Sequence, residues 1–174
     1  DVQDVFSSLL PETRGLDGFS PLAPIVLELD AMPDPTSLPR TPAESLDPLA
    51  TIGLFDIDPA SPSFGARVPF RTDVRNDVTP VGLRAFTLLL FPTIPLEPGA
   101  RYGLVVTKRA LIDPTRPLLP SAFFSAVAGS PSPGEAAAVS RARPLANEVL
   151  DAVATSSTLP IPRDDVALDR KRVL

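Results

Sequence analysis

Two pairs of carboxylates stand close together in the chain, Asp56/Asp58 and Asp164/Asp165. Two residues apart on a strand, Asp56 and Asp58 would share one face, with Cα atoms about 7 Å apart from the strand rise. A glycosidase pair works with carboxyl groups about 5–9 Å apart, so the spacing alone permits acid–base chemistry. The surroundings do not support it. There is no Trp to form a sugar platform and no His, and Pro59 ends the segment at once. The pairs therefore read as solvated acids at segment ends. Calcium would draw its oxygen ligands from loops of this kind. Asp30, Asp34, Asp56, Asp58 and Asp113 are available, but no Asp-x-Asp-x-Asp-Gly loop occurs. Calcium stays an alternative, and no metal ligand is assigned.

The chain lacks His and Cys altogether. That excludes Ser-His-Asp and Cys-His catalysis, His-based proton transfer, disulfides and Cys- or His-ligated zinc within it. No Gly-x-Ser-x-Gly elbow is present. Gly129-Ser130-Pro131-Ser132-Pro133-Gly134 has the wrong spacing, and its prolines oppose a strand-turn-helix. No catalytic or cofactor-binding residue is assigned, and the chain reads as a non-enzyme. The net charge of −5 opposes nucleic-acid binding. The basic cluster Arg170-Lys171-Arg172 reads as a solvated strand edge. No apolar run approaches the roughly 18 residues of a membrane span.

With 174 residues there is length for one domain with a real core. Its 23 prolines, spread along the chain, favour short strands and stiff loops over long helices. A short apolar pattern of helical spacing, Val2 to Leu10, ends at Pro11. Residues 25–29 predict a strand with Ile25, Leu27 and Leu29 on one face and Val26 and Glu28 on the other. Residues 31–49 predict a loop with one turn at Asp34-Pro35-Thr36-Ser37-Leu38. Strands are expected at 51–57 (Phe55 and Ile57 on one face), 83–91 and 101–109, the second of these central because both its faces are apolar. Pro69 makes 67–70 an edge strand or loop, and 71–82 reads as polar turn. Pro120 to Phe124 returns to the core. Glu135 to Ala154 is Ala-rich and helical, divided by Pro144 into two pieces. Residues 165–174 alternate as a final strand, with Val166, Leu168 and Leu174 on one face.

Between the second and third of these apolar strands lies Leu96-Glu97-Pro98-Gly99-Ala100-Arg101-Tyr102. Pro98 presets φ for the first central position of a turn, and Gly99 supplies the positive φ of a type II turn. Leu96 can anchor the turn. Tyr102 can bury its ring while its hydroxyl reaches a backbone group upstream, as in a tyrosine corner.

The pattern Leu96, Pro98, Gly99, Tyr102 and Leu104 resembles the corner of fibronectin type III and related domains. Together with Leu16-Asp17-Gly18-Phe19-Ser20, the Pro24 to Leu27 strand, the turn at 34–38 and the Leu111-Ile112-Asp113 loop, it is similar to the bacterial Ig-like domains that precede a hydrolase domain in secreted bacterial lipases. The resemblance implies a mainly β fold, an Ig-like β-sandwich with a helical insertion at about 135–155 before the last strand. It implies one domain over 1–174, with core 16–127, helical segment 134–155 and returning strand 165–174. The implied role is a non-catalytic accessory module whose partner is an adjacent hydrolase domain or another protein. A free-standing adhesion or ligand-binding domain is the alternative. The start at Asp1 fits a processed chain, and 14 Arg against 2 Lys fits a GC-rich bacterial genome. A secreted or cell-surface location, with a signal peptide removed, is the expectation.

Overall fold

A computed structural model describes residues 20–29, 31–78, 84–113, 115–119 and 121–155. The expected N-terminal helical turn and the expected strand at 165–174 lie outside these residues, as do Asp30, Asp164, Asp165 and the basic cluster at 170–172. Most elements are strands in small antiparallel sheets: β1 (Ile25–Leu29), β2 (Ile52–Asp56), β3 (Phe70–Val78), β4 (Arg84–Pro92), β5 (Tyr102–Val106), β6 (Leu111–Asp113) and β7 (Arg116–Pro117). Three helices accompany them: α1 (Pro42–Leu46), α2 (Ala122–Ala128) and α3 (Ala137–Thr155).

The first sheet has the order β1-β4-β3. Its centre is the long apolar run expected there. Leu88 of β4 stands opposite Leu27 of β1 and Val74 of β3, and Leu90 stands opposite Ile25 and Thr72. The second sheet is β2-β5, with Leu54 opposite Leu104 and Ile52 opposite Val106. Strands β6 and β7 form a small antiparallel pair. One core cluster joins the first two sheets: Leu88, Leu90 and Phe70 pack with Ile52, Leu54 and Val106, and Leu96 and Tyr102 lie against them.

All five residues of β2 are buried. Ile52 and Leu54 face the core shared with the first sheet. Phe55, with Ile57 just beyond the strand, faces a second cluster with Val105 and α3's Leu150 and Val153. Helix α3 thus covers the other face of β2-β5. It comes close because β5 carries Gly103 there. A Cβ at that position would stand 2.7 Å from Cγ1 of Val149.

Four expectations need correction. Residues 71–78 are not turn but part of β3. Arg71, Asp73 and Arg75 are exposed, while Phe70, Thr72 and Val74 turn inward, so a polar edge strand resembles a loop in composition. The 31–49 loop contains α1, capped by Thr41, whose hydroxyl accepts from the Glu44 N–H at 3.2 Å, with Pro42 in the first turn. The turn expected before it does form, as a short 3₁₀ helix, Pro35–Ser37, with Leu38 buried. Residues 122–128 form α2, started by Ser121 as N-cap, and Phe123, expected to return to the core, is 43% exposed.

Lastly, α3 is one continuous helix through Pro144. Packing on both sides of the proline accounts for this. Val139 and Ala146 lie against Val127 of α2, and Leu150 and Val153 lie against the second sheet. Arg143 fixes the same junction. Its guanidinium donates to the carbonyl oxygens of Val127, at 2.8 Å, and Gly129, and pairs with Glu135.

Candidate functional site

Two concave surfaces among the described residues bring candidate groups together. The first lies where the loop after β2 meets the turn before β5, with a volume of about 500 Å³. It brings together Asp56, Asp58, Ser61, Glu97 and Tyr102. Its upper wall is the Pro98–Gly99 turn. Gly99 has φ +78°, and the Ala100 N–H donates to the Glu97 carbonyl at 3.2 Å, as a type II turn requires. The Tyr102 hydroxyl accepts from the Glu97 N–H at 2.9 Å. The upstream bond expected of this tyrosine is therefore formed.

The two aspartates in this cleft are tied into the local loop. Asp56 is not a solvated acid, as its position had suggested, but is 4% exposed. Its Oδ1 accepts from the Asp58 N–H at 3.0 Å, and its Oδ2 accepts from the Ser61 hydroxyl. The strand ends at Asp56, so Asp58 does not share a strand face with it. Asp58 Oδ1 instead accepts from the Ala60 N–H at 2.9 Å. A tied acid followed by a turn is how aspartates start loops, and this arrangement does not present a free acid–base pair.

The remaining oxygen ligands considered for calcium are dispersed in the same manner. Asp34 caps the 3₁₀ helix by accepting from the Thr36 N–H at 2.9 Å. Asp113 accepts from the N–H and hydroxyl of Thr115, at 2.9 and 2.7 Å, and pairs with Arg116. The Arg116 guanidinium first, and the Thr115 donors after it, hold the Asp113 carboxyl well below the usual carboxylate range. Among the described residues no three His, Cys, Asp or Glu side chains converge on a metal position.

The second concave surface was not foreseen from the sequence. It is a groove of about 590 Å³ between β1 on one side and β6 with the start of α2 on the other. Its walls are apolar, formed by Val26, Leu29, Ile112, Leu118, Leu119 and Phe124. Val26 is 55% and Leu119 70% exposed. Glu28 is its one charged lining residue. Among the described strands β1 pairs with β4 alone, so its other edge borders the groove. The sequence signal available was β1's alternation, which put Val26 on the outer face. The far wall carries no local signal, because it is assembled from β6 and the start of α2, far along the chain from β1.

A third polar cluster is structural. Arg67 stacks over Phe55, 4.8 Å from the ring centroid, and donates to the carbonyl oxygens of Ser45 and Pro48 at 3.3 Å. Burial lowers its pKa to about 10, the positive charge of Arg109 adds to that effect, and Asp47 opposes it. The two carbonyls and the ring face compensate part of the desolvation. These contacts bind the α1 loop to β2.

No helix among the described residues is long and apolar enough to cross a membrane. No family model matches the chain, and no curated protein or solved structure shows significant similarity to it.

Proposed function

We propose that this chain is a non-catalytic Ig-like β-sandwich module of a secreted or cell-surface bacterial protein, accessory to a lipase- or esterase-type hydrolase domain. The observation that carries this reading is the corner: the Tyr102 hydroxyl receives the Glu97 N–H across the Pro98–Gly99 turn, at the entry to a strand of the shared core. That device suits two sheets held face to face. The aspartates support it too, since Asp34, Asp56, Asp58 and Asp113 each serve a local turn. The groove beside β1 supports a role exercised by contact, because an exposed apolar concavity is costly to keep without an occupant.

The test is ester hydrolysis by residues 1–174 alone and by the protein encoded when the reading frame is followed past Leu174. The reading expects turnover of p-nitrophenyl esters only by the longer protein, with reduced thermal stability or secretion when residues 20–155 are deleted. Ester turnover by residues 1–174 alone overturns it. A stop codon directly after Leu174 transfers support to the second reading, a free-standing adhesion or ligand-binding domain. The 500 Å³ cleft beneath the corner favours that one.

A further inference from the structure

The edge of β1 and the groove beside it have complementary needs. Strand β1 is hydrogen-bonded to β4 along one edge, and no described strand pairs with its other edge. An open edge offers a row of N–H and C=O groups at the strand repeat, which only another extended backbone matches residue by residue. The groove lies along that edge, and its far wall of Ile112, Leu119 and Phe124 is apolar. A ligand that used the edge would therefore direct every second side chain into an apolar slot.

The charge in the groove narrows the choice of ligand. Ser121, the other polar side chain there, is engaged as the N-cap of α2, accepting from the Phe124 N–H at 3.2 Å. Glu28 is exposed on β1's outer face and has no ion-pair partner among the described residues. It lies one residue from the middle of the strand, so a strand added alongside would bring a side chain near its carboxylate.

We propose that the β1 edge is a docking site for an extended segment of a partner protein. That segment adds to the β1-β4-β3 sheet as a fourth strand, with apolar side chains at alternate positions and a Lys or Arg near Glu28. The proposal deepens the accessory-module reading by giving the chemistry of the partner. Recognition would combine backbone pairing for affinity with alternate side-chain slots for specificity.

The probe is a capped heptapeptide of alternating valine and lysine, compared with one carrying glutamate in place of lysine. Binding is followed by heteronuclear NMR and amide hydrogen exchange on residues 1–174. The lysine peptide should bind about fivefold more tightly at low salt, the scale of an exposed ion pair. It should also slow exchange of β1 amides about tenfold. The exposed substitution Glu28→Lys should invert the peptide preference, and Leu119→Ser should weaken both peptides while leaving the fold intact. Equal affinity for the two peptides, or binding without protection of β1, overturns the proposal. So does slower β1 exchange in residues 1–174 than in a chain ending at Thr155, because the chain's own residues would then occupy the edge. Failure to bind while the longer protein still hydrolyses esters removes this proposal and leaves the accessory reading standing. Loss of the ester result with peptide binding retained does the reverse.

Discussion

The backbone N–H of Glu97 donates to the Tyr102 hydroxyl at 2.9 Å, closing a loop around the Pro98–Gly99 turn. The ring below that hydroxyl packs against the core shared by both sheets. The bond is exposed, so water can replace part of what is lost. Tyr102→Phe should therefore cost about 0.5–1.5 kcal/mol, read by urea denaturation with an unchanged m-value. No measurable change would mean that the corner contributes only packing.

Gly103 sets the distance between β5 and α3. Gly103→Ala places a methyl 2.7 Å from Cγ1 of Val149 and 3.2 Å from Cγ2 of Ile57. Overpacking of this kind costs about 1–3 kcal/mol. In a Val149→Ala background the cost should shrink by at least about 1 kcal/mol, so the double-mutant cycle should report a coupling of that size. Additive effects would place the strain elsewhere.

Pro144 is exposed and sits within α3, where it has no N–H to donate to the Ser140 carbonyl. Its ring buries little, so replacement removes a helix breaker at small packing cost. Pro144→Ala should raise stability by about 1–3 kcal/mol, seen as a higher denaturation midpoint and a gain in helical circular dichroism. A loss of stability would mean that the proline ring contributes to the seating of α3 on its two neighbours.

Asp113 provides a pH signature. Its folded-state pKa is depressed by Arg116 and Thr115, so the ionised form is favoured by folding. The stabilisation is fully present above the unfolded value of about 3.9 and is lost as pH falls through the lower folded value. Carboxyl-detected NMR should show Asp113 titrating below the ordinary aspartate range. Arg116→Gln should move that midpoint upward, and loosening of the β6-β7 pair should accompany protonation.

Where one strong local signal acted, the sequence was legible. The alternation of Ile25-Val26-Leu27-Glu28-Leu29 matches the half-buried pattern of β1, and the apolar run ending at Phe91 is the central strand β4. Strand β3 was hidden because its stability comes from its neighbour. Arg71 stacks on Phe91 of β4, 4.2 Å from the ring, and Thr72 donates to the Pro39 carbonyl at 2.6 Å. Such contacts leave no mark on local hydropathy. The same holds for α3, where contacts far along the chain outweigh the preference of Pro144 to end a helix. Asp56 shows the limit most plainly. Its type and spacing suit chemistry, and only the geometry of Asp58 and Ser61 around it reveals a loop anchor. The β1 groove required three separated stretches to be brought side by side: β1, Ile112, and Leu118 and Leu119 with the start of α2.

Strand β2 has no outer face. Ile52 and Leu54 belong to one cluster and Phe55 to the other, so both depend on the same five residues. Neither cluster can come apart while its neighbour persists, because loss of β2's backbone pairing with β5 strips a wall from each. The sheets and α3 should therefore melt as a single cooperative unit, and probes placed on opposite sides of β2 should trace one superimposable transition.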